Sequence, residues 1–171
     1  MKKILIVIDM QNDFVTGSLA NPDAQAIIPR IEKKIQEYKK AKQEIIFTRD
    51  SHKVDYLNTA EGKALPIIHC VEGTWGWLVV DKLNHPECKH INKRTFGYRD
   101  WFYEFDYDID TIELVGTCTD ICVISNAILL KTQFPNTKVV VDASCCAGLT
   151  PEKHKAALEV MKSCQIEVIN D

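Results

Sequence analysis

The sequence predicts an α/β protein, a three-layer α/β/α sandwich built around a mostly parallel sheet. Three observations lead to this prediction. Short apolar β-rich runs alternate with amphipathic helical segments along the chain, and several of these runs end at a charged or reactive side chain. The chain has 171 residues, of which 46% are hydrophobic. We therefore expect residues 1–171 to form a single domain with a sizeable core.

The first half of the chain contains the first two predicted strands and a helix. Residues 4–8 form an apolar run that stops at Asp9, and residues 44–47 form a strand-like run shortly before Asp50. Between them a helix is expected from about Asp23, with its lysines exposed to solvent. The residues expected to face the sheet are Ile27, Ile28, Ile31 and Ile35. Residues 51–90 are expected to form loops and a short helix around a functional cluster, because long loops in compact domains usually carry function.

The second half continues the same alternation. Strands are expected near Lys93, over 111–115, over 139–141 and over 166–169. A helix over about 123–132 should begin after Thr119 or Asp120, either of which can cap it. A last helix is expected over Pro151–Ser163, with Thr150 as its N-cap and proline in its first turn.

Cys122 lies where the strand ending at Gly116 passes into a helix. Unpaired amides at a helix N-terminus favour a thiolate and leave donors free to hold an oxyanion, so this position suits an acyl-transfer nucleophile. The alternative is that Cys122 is a small core residue, as buried cysteines often are. Asp9 and Lys93 favour the catalytic interpretation, because both follow predicted strands and should reach the same sheet edge. A nearby cation would lower the pKa of the thiol toward neutrality.

Three segments, in order, resemble the motifs of the isochorismatase-like cysteine hydrolases, a family that includes the nicotinamidases. They are Val7–Phe14, the segment around Lys93, and Gly116–Val123. The resemblance implies a catalytic triad in which Cys122 is the nucleophile, Asp9 takes its proton and Lys93 adjusts both groups electrostatically. It also implies an oxyanion hole made by the backbone N–H groups of Cys118 and Cys122, and a cis peptide bond before Cys118.

A second polar cluster predicts a metal site. Asp50 and His52 are two residues apart on an extended segment and can face the same ion, and Glu61 and His69 follow nearby. Ordinary surface histidines are the alternative. In the resemblance, Asp50, His52 and His69 match the ligands of a divalent metal, usually zinc, manganese or iron. Glu61 fits the fourth position of some members, whereas others use a third histidine that is absent between His52 and His69.

Aromatic and apolar residues near these motifs are candidates for the walls of a substrate pocket, which is expected to be mostly apolar. The residues predicted to bind substrate are Phe14, Leu19, Trp75 and Tyr98, and Tyr56 and Trp77 are further candidates. Phe14 is the first choice because it belongs to the first motif.

The resemblance implies an amidohydrolase that cleaves a small carboxamide, such as nicotinamide to nicotinate, through a Cys122 thioester. A carbamoyl or ureido amidohydrolase of the same family is the first alternative, although such members usually lack the full metal cluster. Cys122 is evidence against true isochorismatase activity, which uses no cysteine nucleophile. A non-catalytic thiol sensor or interaction module is the remaining alternative.

Composition limits the partners and the compartment. The net charge of −3 gives no electrostatic reason to expect nucleic acid or an anionic membrane as a partner. No apolar run approaches the roughly 20 residues of a transmembrane helix. Seven cysteines, two of them adjacent at Cys145 and Cys146, do not suit a secreted disulfide framework. We therefore expect a cytoplasmic protein, and the resemblance implies a homo-oligomer.

Overall fold

The computed structural model describes residues 1–105 and 108–171, and within them a six-stranded sheet forms the framework. The strands are β1 (Lys3–Ile8), β2 (Glu44–Asp50), β3 (Lys89–Lys93), β4 (Thr111–Thr117), β5 (Lys138–Ala147) and β6 (Glu167–Ile169). The helices are α1 (Asn12–Val15), α2 (Pro22–Lys40), α3 (Ala60–Ala64), α4 (Ile124–Gln133) and α5 (Pro151–Ser163). All adjacent strands in the sheet pair in parallel, which confirms the predicted mostly parallel sheet.

The strand order is β3-β2-β1-β4-β5-β6. The chain builds outward from β1 through β2 to β3, and then returns to the other side of β1 with β4. The border between β1 and β4 is therefore the point where the direction of winding reverses. In sheets of this kind ligands bind beyond the carboxyl ends of the strands at this point.

Successive residues of β1 point to opposite faces of the sheet, and each face is covered by helices. Leu5 and Val7 pack in the same core cluster as the buried isoleucines of α2. Ile4, Ile6 and Ile8 belong to the second cluster, with buried residues of α4 and α5. This arrangement confirms the three-layer α/β/α sandwich. Ile28, which was predicted to face the sheet, is only half-buried and packs at the margin of the α2 layer.

Both long outer helices begin with a side-chain cap followed by proline. The Oδ1 atom of Asn21 accepts a hydrogen bond from the N–H of Asp23 at 2.9 Å, so α2 begins at Pro22. Thr150 caps α5 through a hydrogen bond from the N–H of Lys153, as predicted. Across the described part of the chain, no helix is both long enough and apolar enough to cross a membrane.

The connection between β2 and β3 is the longest excursion from the sheet. It contains the predicted short helix, α3, and single helical turns at Tyr56–Asn58, Trp75–Trp77 and Asp81–Leu83. Short bridges from His52 to Val71 and from Gln11 to Val79 hold it against the carboxyl edge. The excursion therefore forms part of the wall around the site described next.

Candidate active site

The polar residues singled out in the sequence meet at the carboxyl edge because each ends or follows a parallel strand. Asp9 follows β1, while Asp50 and Lys93 are the last residues of β2 and β3 and pair in register. Cys122 lies in the turn after β4. The topology thus brings together residues that are far apart in the sequence.

Asp9, Lys93 and Cys122 form one buried contact cluster. The Nζ atom of Lys93 is 2.6 Å from Oδ2 of Asp9 and 3.5 Å from Sγ of Cys122. Lys93 and Asp9 have no side-chain exposure, and Cys122 is 5% exposed. This ammonium therefore contacts both the carboxylate and the thiol in a site screened from water.

The position of Asp9 is fixed by its neighbours and by its backbone. Its Oδ1 accepts a hydrogen bond from the Thr48 hydroxyl at 2.7 Å, and its own N–H donates to the same hydroxyl oxygen at 3.2 Å. Asp9 has φ of 47°, in the left-handed region that non-glycine residues seldom adopt. Such strain concentrates at functional sites, where the surrounding structure holds it in place.

The structure corrects the predicted pKa of the nucleophile. Burial raises the pKa of the Cys122 thiol well above its usual range, and the opposing effect of Lys93 is smaller. Burial also raises the pKa of Asp9, although Lys93 acts against it. In the resting site Cys122 is therefore a thiol, and an attack by sulfur needs a group that accepts its proton.

The entry to the nucleophile helix is a π-helical turn over Thr119–Val123, not the first turn of an α-helix. The carbonyl oxygen of Cys118 accepts hydrogen bonds from the N–H groups of Ile121 and Val123, at 3.1 and 3.0 Å. The peptide bond between Thr117 and Cys118 is cis. The turn has Cys118 at its N-cap position and no side-chain cap, so the prediction that Thr119 or Asp120 caps this helix was wrong. The side chain of Thr119 instead forms a hydrogen bond with His154, and that of Asp120 accepts one from the N–H of Leu149.

Asn126 is a site residue that the sequence reasoning missed. It is fully buried on α4, and its amide group donates hydrogen bonds to the carbonyl oxygens of Cys122 at 2.7 Å and Phe96 at 3.1 Å. Its Oδ1 accepts from the N–H of Tyr98 and the indole of Trp101. A single amide thus joins the nucleophile turn to the segment after Lys93. One feature of the sequence could have indicated Asn126, since it is a polar residue within an apolar helical stripe, four positions after Cys122.

The four predicted metal ligands form a compact group. Asp50, His52, Glu61 and His69 each offer one ligand atom, and all four atoms lie within 4.8 Å of one another. Oδ2 of Asp50 is 2.9 Å from Nε2 of His52 and 3.6 Å from Nε2 of His69. Ligand bonds of about 2.0–2.2 Å to a zinc ion would place tetrahedral ligand atoms at similar separations.

The chemistry of this donor set fits a divalent metal ion. Hydrogen bonds from His52 and His69 and the charge of Lys93 outweigh the effect of burial on Asp50, so its pKa lies below the usual range and it is a carboxylate. Nδ1 of His69 hydrogen-bonds to the carbonyl oxygen of Ile67 at 2.7 Å, which leaves Nε2 for a metal. Two imidazoles with two carboxylates suit zinc, manganese and iron.

Outer residues hold these ligands in place. Gln11 accepts a hydrogen bond from the N–H of Asp50 at 2.8 Å and donates to its carbonyl oxygen at 2.8 Å. Tyr56, predicted as a wall residue, instead packs its ring against His52 and His69, with ring centroids 4.5 and 4.9 Å away. Tyr56 and Gln11 thus restrict the orientation of the metal ligands.

A cavity of about 440 Å³ opens at the cluster. Phe14 and Leu19, two of the residues predicted to bind substrate, line it together with Asp50, Glu61, His69, Cys118 and Cys122. Its remaining lining residues are Ser18, Ala20, Asn21, Leu65, Phe96, Ile121 and Leu149, which the sequence analysis did not identify. The thiol and three of the four candidate metal ligands therefore face one largely apolar cavity.

Two predicted wall residues do not line this cavity. Trp75 is 59% exposed, in a helical turn of the β2–β3 excursion. Tyr98 packs edge-on against Trp101 and donates its hydroxyl proton to Glu104. Trp77 is also occupied elsewhere, since its indole donates to the hydroxyl of Ser51 and its ring lies under Arg49. Tyr98 and Trp77 therefore pack against other residues and do not line the substrate cavity. Spacing in the sequence could not distinguish a packing role from a substrate-binding role.

The fold and the site agree with a known class of proteins. The model of the isochorismatase domain matches residues 3–170, so the chain belongs to the isochorismatase family. This confirms the resemblance inferred from the three motifs.

More specific similarities are to nicotinamidases and pyrazinamidases. The chain is 27% identical to the nicotinamidase of Saccharomyces cerevisiae, over 98% of this chain and 99% of that protein. The crystal structure of the pyrazinamidase of Pyrococcus horikoshii in complex with zinc aligns over 100% of both chains, with a TM-score of 0.88 and 27% identity. The nicotinamidase/pyrazinamidase of Bacillus subtilis aligns over 98% of this chain and 99% of its own, with a TM-score of 0.86 and 26% identity.

Proposed function

We propose that this protein is a nicotinamidase-like amidohydrolase, which converts nicotinamide to nicotinate and ammonia through a thioester on Cys122. The observation that carries the proposal is the contact of one buried ammonium, Lys93, with both Asp9 and Cys122. Cys122 lines a cavity together with three of the four candidate metal ligands, Asp50, Glu61 and His69. The similarity to nicotinamidases over nearly the full chain supports the substrate class.

In the proposed reaction Asp9 accepts the thiol proton as Sγ of Cys122 attacks the carboxamide carbon. The backbone N–H groups of Cys118 and Cys122 are the proposed donors to the tetrahedral oxyanion. As the carbon–nitrogen bond breaks, Asp9 returns the proton to the departing nitrogen and ammonia leaves. Water then attacks the thioester with Asp9 as the base, which releases the carboxylic acid and restores the thiol. Lys93 holds Asp9 in place and offsets negative charge on sulfur.

Asp50, His52, Glu61 and His69 are the residues that would hold a metal, and zinc is the ion that we propose. When bound, the metal would supply a Lewis acid that orients a ring nitrogen of the substrate or a water molecule. Phe14 and Leu19 would contact the flat ring, and the half-exposed residues Leu65, Phe96 and Leu149 also line the cavity. The four-residue donor set favours nicotinamide over carbamoyl or ureido substrates.

The test is ammonia release from nicotinamide by the purified protein, with and without a chelator. Wild type should release ammonia, Cys122→Ala should release none, and chelation should lower turnover until zinc is restored. Cys164→Ala is the matched control, because Cys164 is an exposed thiol on the far end of α5 and should retain full activity.

An inactive wild type, even with added zinc, manganese or iron, would exclude nicotinamide as the substrate. A panel of carbamoyl and ureido compounds would then test the alternative family activity. Activity that survives in Cys122→Ala would exclude the thioester.

We also infer a homo-oligomer in the cytoplasm. The family resemblance supports assembly, and all seven cysteines are free thiols, which suits a reducing compartment. Light scattering on the eluting protein would measure its mass directly, and a monomer at micromolar concentration would contradict the assembly inference.

A further inference from the structure

We propose that His154, in the first turn of α5, is a positioning residue for the Cys122 nucleophile and acts through the Thr119 hydroxyl. This inference rests on the proposed function for its kinetic readout. Nδ1 of His154 is 2.8 Å from Oγ1 of Thr119, a residue with no solvent exposure. Thr119 lies between Cys118 and Cys122, so this hydrogen bond fixes the segment that carries both the nucleophile and a proposed oxyanion donor.

The π-helical turn needs outside support because it lacks a side-chain cap. Its first two residues, Thr119 and Asp120, instead reach the segment around the start of α5. Oδ1 of Asp120 accepts a hydrogen bond from the N–H of Leu149 at 2.9 Å, and Thr119 bonds to His154. Two hydrogen bonds from adjacent residues therefore hold the turn on one side, while Asn126 holds the carbonyl of Cys122 on the other.

Close packing at Gly148 leaves little freedom for this contact to shift. A Cβ atom added at Gly148 would lie 2.9 Å from Cβ of His154 and 3.0 Å from Oδ1 of Asp120. The start of α5 and the nucleophile turn therefore approach each other across a glycine. A change in the His154 side chain removes its hydrogen bond to Thr119.

His154 does not line the catalytic cavity. Replacing it should leave the apolar walls and the metal ligands intact, and should affect the alignment of the nucleophile. A small misplacement of a reacting group costs up to about 100-fold in rate. The expected signature is therefore a loss in kcat with little change in KM or in metal content.

The first experiment compares His154→Ala, His154→Asn and Thr119→Val with wild type on nicotinamide. We expect His154→Ala to lower kcat by about 10- to 100-fold at nearly constant KM. His154→Asn should restore most of that loss, since the amide of asparagine can occupy the place of Nδ1. The double variant His154→Ala/Thr119→Val should be no slower than the slower single variant, because both changes break the same interaction. Lys155→Ala, on the exposed face of α5, is the control and should match wild type.

A second readout does not depend on the substrate assignment. The rate at which iodoacetamide alkylates Cys122, followed by mass spectrometry of the peptide that contains it, should fall in His154→Ala and remain unchanged in Lys155→Ala. If wild type hydrolyses no carboxamide, this rate still tests the role of His154.

Three results would overturn the proposal. The first is that His154→Ala has the same alkylation rate and the same kcat per folded molecule as wild type. The second is that the losses of kcat in the double variant are additive. The third is that His154→Asn recovers none of the kcat lost in His154→Ala. A lower melting temperature with unchanged kcat would assign His154 a purely structural role.

Discussion

At Cys122, burial and charge act in opposite directions on the pKa of the thiol, and burial is the larger effect. The prediction from the sequence considered the nearby cation but could not include the loss of water around the sulfur. A thiol that is protonated at rest needs a proton acceptor, and Asp9 is the group that we propose for this role. Its contact with Lys93 leaves the carboxylate buried yet paired.

Replacing Asp9 by asparagine should lower kcat about 10²- to 10⁴-fold, because the variant keeps the shape of the side chain but cannot accept the proton. Steady-state kinetics on nicotinamide measure the effect. Thr48→Val, which removes the hydroxyl that donates one hydrogen bond to Asp9 and accepts another from it, should lose much less activity. Wild-type kcat in Asp9→Asn would show that another group receives the proton.

Among the elements, the passage from β4 into the nucleophile turn depends on one glycine. Gly116 has φ of +121°, and a Cβ atom there would lie 2.1 Å from the carbonyl oxygen of Ile8 on β1. The strands that carry Asp9 and Cys122 therefore approach closely only because this position has no side chain.

Gly116→Ala should lower the free energy of unfolding by about 3–5 kcal/mol, from backbone strain combined with overpacking. Gly73→Ala is the matched control, since Gly73 also has positive φ but no atom within 4 Å of its added Cβ. The control should cost about 1–2 kcal/mol from strain alone. Chemical denaturation measures both values, and equal losses would show that contact with Ile8 does not matter.

The β2–β3 excursion is joined to the sheet through the proposed metal ligands, because Asp50 ends β2 whereas Glu61 and His69 lie within the excursion. Removing the metal should therefore destabilise the fold, by about 2.7 kcal/mol relative to protein with free metal at 100 times its dissociation constant. Thermal unfolding with and without chelator measures the change. His69→Ala should not respond to added metal, and a wild-type melting temperature indifferent to chelator would contradict the site.

Across the whole molecule, Lys34 links the outer α2 layer to the sheet. Its Nζ atom is 2.6 Å from Oδ2 of Asp142 on β5 and also pairs with Glu113 on β4. The Lys34 side chain is 14% exposed, so the cluster is mostly withdrawn from water. The pKa of Asp142 is lowered, because hydrogen bonds from Lys34 and Ser144 outweigh its burial.

Lys34→Met should cost about 2–3 kcal/mol at pH 7, because it leaves the largely buried carboxylates of Glu113 and Asp142 without the cation that pairs with both. Asp142 has a lower pKa in the folded state than in the unfolded state, so its contribution is present above about pH 4 and is lost as the pH falls below that value. The difference between wild type and variant should therefore shrink in acid. Lys33→Met, at a position whose side chain is 80% exposed, should cost less than about 0.5 kcal/mol. A difference that is constant from pH 7 to pH 3 would contradict the pairing.

The sequence predicted the three layers and the mostly parallel sheet because apolar runs and helix caps are local signals, as at residues 4–8 and Thr150. It placed Asp9, Lys93 and Cys122 together because parallel strands share one carboxyl edge. It failed where distant packing decides the outcome. Membership of the first motif favoured Phe14, which lies in the cavity, but no local signal showed that Trp75 lies on the surface. Thr119 and Asp120 in the π-helical turn form hydrogen bonds with residues at the start of α5. Because α5 comes later in the chain, no local signal could predict these contacts.

Activity should appear late in folding, because the contacts of Lys93 require three strands of the sheet to be in place. Lys93 ends β3, an edge strand that pairs only with β2 among the described strands. Its ammonium reaches Asp9, which follows β1, only when β2 lies between the two strands. These contacts are distant in sequence, and such contacts form slowly because a long loop must close first. Helices can form from local contacts well before that. On refolding, the far-ultraviolet circular dichroism should therefore recover before the enzymatic activity. The recovery of turnover would then report when the sheet is complete.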